Sequence, residues 1–136
     1  MGRDGIPVTQ LMTRGVLTVT ADTSISDAAG TLLEEGVGSL VVVDGDGRPV
    51  GMFTNTDLAE FVSTGDFGAE PTVSQYMTNR VITVDTRSSI RDAAAKMIGN
   101  GIHHLPVIDD DEGVVGMLST MDLTAYSSYT SGSDAE

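Results

Sequence analysis

Gly51-Met52-Phe53-Thr54-Asn55-Thr56-Asp57-Leu58 and Gly116-Met117-Leu118-Ser119-Thr120-Met121-Asp122-Leu123 are one pattern written twice, 65 residues apart. Each opens as a short apolar run. At Thr54 or Ser119 it turns into a hydroxyl followed three residues later by a carboxylate, the signature of a strand giving way to a capped helix. Extended outward without a gap, the comparison aligns Val8–Leu58 with Val73–Leu123, and 22 of these 51 positions are identical. The chain is therefore an internal duplication. Half of 136 residues makes a poor core alone, so the copies are expected to share one.

Within each copy, strand and helix signals alternate. Val16–Val19 and Val81–Val84 read as β-branched strands. Ser24 with Asp27, and Ser89 with Asp92, repeat the capping signature, and here capping alone is expected. Ile25, Ala28, Ala29, Leu32 and Leu33 then fall on one helical face, as do Ile90, Ala93, Ala94, Met97 and Ile98. Gly36 and Gly101 stop these helices. Leu40–Val43 and Leu105–Ile108 read as buried strands, and Asp44–Gly47 and Asp109–Gly113 as turns. Val50–Phe53 and Val115–Leu118 return as strands, and second helices begin at Thr54 and Ser119. The expected organisation is repeat 1 over residues 1–62, a linker over 63–71, repeat 2 over 72–126 and a small, polar, disordered tail over 127–136.

The length excludes a (β/α)₈ barrel, which needs about 250 residues. Twenty acidic residues against seven basic ones give a net charge of −13, and Lys96 is the sole lysine. A field of that sign opposes nucleic-acid backbones and anionic membranes, so neither is an expected partner. It also suits concentrated salt, where screening relieves self-repulsion, and a salt-loving source is expected. No apolar run approaches the ~20 residues that cross a bilayer. The opening residues lack a signal-peptide pattern, and a cytoplasmic location is expected. With no cysteine there is no disulfide or thiolate chemistry.

The motifs resemble a stand-alone tandem pair of CBS (cystathionine-β-synthase-type) domains, a Bateman module. The resemblance rests on Met12-Thr13, Leu17-Thr18-Val19 and Gly51–Leu58. In the second copy it rests on Met77-Thr78, Ile82-Thr83-Val84, His104-Leu105-Pro106-Val107-Ile108-Asp109 and Gly116–Leu123. It implies an α/β (α+β) fold of two β-α-β-β-α repeats, packed sheet to sheet about a pseudo-two-fold axis, and association into a disc-like homodimer. It also implies clefts between the repeats that bind AMP, ADP, ATP or S-adenosylmethionine and pass the signal to a regulated protein. No cofactor is required.

By the resemblance, one cleft joins Thr54 and Asp57 to Thr78, Val81, Ile82, Thr83, His103, His104 and Pro106. The other joins Ser119 and Asp122 to Thr13, Val16, Leu17, Thr18, Gly38 and Ser39. The chemistry suits the residues. An ionised carboxylate accepts from vicinal ribose hydroxyls, and the hydroxyl and free N–H groups of a new helix hold phosphate. The apolar members read equally well as core. His103-His104 stands where the first copy has Gly38-Ser39, and histidine donates to phosphate best when protonated. Arg14 and Arg80 are further phosphate candidates. The first copy has Val41 in place of Pro106, and aromatic residues are few, which points first to Asp57.

No catalytic or metal-ligating set emerges. His103 and His104 are adjacent rather than spaced for a metal, Asp109–Glu112 lacks the spacing of an EF-hand loop, and there is no nucleophile motif. The expected function is therefore a non-catalytic sensing module. The alternative is a structural dimerisation or partner-docking module with empty clefts.

Overall fold

In the computed structural model, which describes residues 5–65 and 68–134, the buried apolar runs form the middle strands of two three-stranded sheets. One sheet is β1 (Thr18–Thr20), β2 (Ser39–Val43) and β3 (Pro49–Thr54). β1 runs parallel to β2 and β3 antiparallel, with Thr18 opposite Val41 and Ser39 opposite Thr54. The other is β4 (Val84–Asp85), β5 (His104–Asp109) and β6 (Gly113–Ser119), with His104 opposite Ser119 and Pro106 opposite Met117. Helices α1 (Ile25–Glu35) and α2 (Asn55–Thr64) complete the first copy, α3 (Ile90–Asn100) and α4 (Thr120–Asp134) the second. The class is α+β and the order is β-α-β-β-α twice.

The helix ends follow from the capping residues. Ser24 Oγ accepts from the Asp27 N–H at 3.0 Å, and Ser89 Oγ from that of Asp92 at 3.1 Å. Gly36 and Gly101 close the helices in the left-handed conformation that glycine adopts without strain. The buried face is narrower than the periodicity predicts. Ile25, Ala28 and Leu32 are buried, but Leu33 is 83% exposed and its counterpart Ile98 is 82% exposed. Each residue turns the helix by about 100°, so Leu32 lies almost under Ile25 while Leu33 swings away from the sheet.

Two compact units divide the chain, and they do not follow the repeat boundaries. A continuous unit spans Val16–Val81; a split unit combines the chain up to Gly15 with the chain from Ile82. In the continuous unit, Val73 and the face of α1 close over β2 and β3 around Phe53 and Leu40. Phe61 meets Tyr76 edge to face at 5.3 Å. In the split unit, Val8 and Met12 join Val84, Ala93, Met97, Leu105, Val107 and Leu118 in one core. The segment before each first strand thus seals the other copy's sheet. Thr13 pairs with Met117 on β6, and Thr78 pairs with Met52 on β3, each through two backbone hydrogen bonds of 2.8–3.0 Å.

Several boundaries differ from the expectation. β1 begins at Thr18 rather than Val16 and β4 at Val84 rather than Val81; β4 starts one ladder step later than β1 because Pro106 offers no N–H there. Helix α2 runs on to Thr64, into the expected linker, whose residues 66 and 67 lie outside the described residues. Helix α4 continues past Ser127 through Asp134, where the composition predicts loss of order, and no proline interrupts it. Residues 135 and 136 lie outside the described residues.

Candidate functional site

At the end of β3 the chain turns into α2 through a reciprocal box. Asp57 Oδ2 accepts from the Thr54 N–H at 2.9 Å and from the Thr54 hydroxyl at 3.2 Å. Thr54 Oγ1 in turn accepts from the Asp57 N–H at 3.3 Å. The Asn55 N–H donates to the Gly38 carbonyl at 3.0 Å, which fixes the start of the helix beside Ser39. Asp57 is buried to 9% exposure, the one charged side chain so classed among the described residues. Its second oxygen, Oδ1, takes no hydrogen bond from them. Every fully buried side-chain polar atom described has a partner, so Oδ1 keeps access to solvent.

The split unit repeats this at the start of α4. Asp122 Oδ2 accepts from the Ser119 N–H at 2.8 Å and its hydroxyl at 3.1 Å, and the Asp122 N–H returns to Ser119 Oγ at 3.1 Å. The His103 carbonyl takes the role of Gly38, accepting from the Thr120 N–H at 3.0 Å. Here the strand residue facing the box is His104. Its imidazole is held below the ordinary histidine pKa, first by burial and then by neighbouring His103, with the Asp122 carboxylate acting the other way. His104 is half-buried and His103 exposed.

Of the residues expected beside Asp57, the continuous unit holds Thr54, Thr78 and Val81; Thr78 is exposed and lies against Met52, two residues before Thr54. Ile82, Thr83, His103, His104 and Pro106 belong to the split unit. Ile82 packs on its core, the Thr83 carbonyl accepts from Lys96 Nζ at 2.8 Å, and Pro106 is fully buried. Of those expected beside Asp122, the split unit holds Ser119 and Thr13. Val16, Leu17, Thr18, Gly38 and Ser39 lie in the continuous unit. Within single units, then, Asp57 has Ser39 as strand neighbour and Asp122 has His104. One grouping the motifs do not signal is Thr9, Arg14, Thr86, Asp109 and Glu112, which line a recess of about 350 Å³ in the split unit. Distant stretches of chain supply them, and only folding joins them.

Among the described residues no group of three or more His, Asp or Glu is placed to hold a metal ion, and no helix is long and apolar enough to cross a membrane.

A profile of the CBS domain family matches residues 8–64 and 73–129. An uncharacterized 17.7 kDa protein of Acidianus ambivalens is 35% identical over 116 residues, covering 85% of this chain and 70% of that protein. The chain spans far less of other relatives, such as 23% of the homoserine O-acetyltransferase of Methanocorpusculum labreanum, at 36% identity over 117 residues. Among solved structures, it is similar to the CBS domain pair of protein MJ0100 in complex with 5′-methylthioadenosine and S-adenosyl-L-methionine. That match has 27% identity and a TM-score of 0.82, covering 91% of this chain and 97% of that one. It is also similar to CBSX2 in complex with AMP, with 26% identity and a TM-score of 0.77, covering 93% and 99%.

Proposed function

From the premise that the chain belongs to the CBS domain family, we propose that it is a non-catalytic regulatory module that binds an adenosine-containing ligand. The candidates are AMP, ADP, ATP and S-adenosylmethionine. The observation that carries this reading is the open carboxylate oxygen. In both units the helix cap uses Oδ2 and leaves Oδ1 of Asp57 and Asp122 without a donor among the described residues. Capping fixes the carboxylate, and the oxygen that the cap does not use is a pure acceptor, which matches the hydroxyls of a ribose. Methylthioadenosine, S-adenosylmethionine and AMP, held by the two similar proteins, share that sugar.

The two units differ in what stands next to the carboxylate. Ser39 beside Asp57 is uncharged and suits an adenosyl group with a neutral or cationic substituent. His104 beside Asp122 offers a donor to a phosphate. Binding acts on a regulated protein only as far as the ligand prefers one conformation over another. The site of action is the cytoplasm, in keeping with a cysteine-free, strongly acidic chain.

The test is calorimetric titration of the full chain in potassium chloride with AMP, ATP, S-adenosylmethionine and methylthioadenosine. Wild type is compared with Asp57→Asn and Asp122→Asn. Asparagine keeps a carbonyl for the cap and replaces the open acceptor with a donor. Saturable heat from one of the four, weakened about tenfold or more by a variant, supports the reading. Silence from folded wild type with all four overturns it.

A second reading, a homodimerisation or docking module, is favoured by Leu33 and Ile98, large apolar side chains more than four-fifths exposed at equivalent positions of α1 and α3. It predicts a dimer in sedimentation equilibrium that Leu33→Asp with Ile98→Asp converts to monomer. A wild-type monomer at all concentrations excludes the dimer.

A further inference from the structure

The recess of about 350 Å³ in the split unit lies at the turn end of the β5–β6 hairpin, whereas Ser119 and Asp122 follow the opposite end of β6. Its polar lining is Thr9, Arg14, Thr86, Asp109 and Glu112, and Met12, Val114 and Val115 add apolar surface. The duplication shows which of these groups the fold itself needs. Met12 packs on Gly116 as Met77 packs on Gly51. Asp109 accepts two backbone N–H groups of its turn, as Asp44 does. The counterparts of Arg14, Thr86 and Glu112, however, are Asn79, Ala21 and Gly47. The same architecture forms there without them, so these three groups are not required by the fold.

Nor do they satisfy one another. Among the described residues no ion pair joins Arg14 to Asp109 or Glu112. The hydroxyls of Thr9 and Thr86 have no hydrogen-bond partner there either. A guanidinium takes a carboxylate through two parallel N–H bonds, and carboxylates take the three donors of an ammonium group. A simple anion in this recess meets two carboxylates, and a simple cation meets the guanidinium. A small molecule carrying both charges meets neither penalty.

We propose that the recess binds an α-amino acid with an apolar side chain. Its carboxylate is held by Arg14 with the Thr9 and Thr86 hydroxyls. Its ammonium group is held by Glu112 and the outer face of Asp109, and its side chain lies against Met12, Val114 and Val115. This site is separate from the hydroxyl–Asp motifs and stands whether or not they bind an adenosyl ligand.

The test is a titration of the full ¹⁵N-labelled chain with L-leucine, followed by amide chemical shifts. Three compounds serve as comparisons: 4-methylpentanoate, which lacks the ammonium group, L-leucinamide, which lacks the carboxylate, and inorganic phosphate. The proposal expects saturable shifts around Arg14, Thr86 and Glu112 with L-leucine, and affinity at least about tenfold weaker for each comparison compound. Arg14→Asn and Glu112→Gly place the other copy's residues at these positions, so both are expected to fold, and each abolishes saturation. Asp57→Asn and Asp122→Asn leave leucine binding unchanged. No saturable shift in folded wild type overturns the site. So does equal binding of 4-methylpentanoate or phosphate, or leucine binding that survives Arg14→Asn or is lost in Asp122→Asn.

Discussion

The backbone N–H of Val41 donates to the carbonyl of Leu17 at 3.2 Å, joining β1 to β2, and Pro106 occupies the equivalent place in the second copy. Proline has no N–H to offer Ile82, so the parallel ladder there starts one step later, at Val84 opposite Val107. Val41→Pro is expected to destabilise the chain by more than about 1 kcal/mol, because it deletes a formed bond in a middle strand. Urea midpoints measure this. Conversely, Pro106→Val is expected to gain a slowly exchanging amide at residue 106, and rapid exchange there refutes the account.

Methionine packing on glycine gives unequal sensitivities. A methyl group on Gly51 meets Met77 Sδ at 2.7 Å and the Thr78 backbone carbonyl at 2.9 Å, whereas on Gly116 its three nearest neighbours are all atoms of the flexible Met12 side chain. A side chain moves more cheaply than a paired backbone. Gly51→Ala is therefore expected to cost about 1–3 kcal/mol and Gly116→Ala less, by thermal or urea unfolding. Equal losses would contradict it.

Adjacent leucines on α1 are expected to behave oppositely. Leu32 is 4% exposed and Leu33 is 83% exposed. Leu32→Ala is expected to cost about 2–5 kcal/mol and Leu33→Ala to stay within about 0.5 kcal/mol at concentrations where the chain is monomeric.

Caps without ligand chemistry separate from caps with it. Ser24→Ala removes only the bond to the Asp27 N–H, at a cost of about 1 kcal/mol, and leaves adenosyl binding intact. Asp57→Asn is expected to do the reverse, with a small change in unfolding midpoint and a large one in affinity. Parallel unfolding and calorimetric series on the two variants distinguish them.

His104 gives the stability a pH dependence whose sign is fixed by its environment. Burial and His103 lower its pKa in the folded chain, outweighing the Asp122 carboxylate. The unfolded chain, with histidine near 6.5, then binds more protons. The stability tied to this residue is complete above about pH 6.5 and declines as pH falls below that value. His104→Asn is expected to lose less stability than wild type between about pH 7 and pH 5. A steeper loss in the variant would reverse the assignment.

The duplication, the capped helices and the middle strands were legible in the sequence because each rests on local chemistry. Ser24 caps Asp27 and Gly36 ends α1 within one helix, and Leu40–Val43 is apolar wherever it packs. What was not legible depends on distant partners. The periodicity assigned Leu33 and Ile98 to the core, but the sheet covers only a narrow stripe of each helix. β4 starts late because of Pro106, more than twenty residues away. At the candidate site, the hydroxyl–Asp spacing announced both boxes and Pro106 marked an asymmetry. The sequence could not show that a single oxygen of each carboxylate is used by the cap. Nor could it show that Thr9, Arg14, Thr86 and Glu112 meet.

The split unit sets an order of events during synthesis. All contacts that define the continuous unit lie between Val16 and Val81, so it closes once that stretch has left the ribosome. Val8 and Met12 are made before that stretch, yet the sheet they cover includes Leu118 and is completed after it. They remain exposed through translation of roughly a hundred residues, held back by the loop that must close before they dock. Apolar side chains made about a hundred residues before their partners are thus shielded late, and shortening that interval is a task left to chaperones or to translation speed.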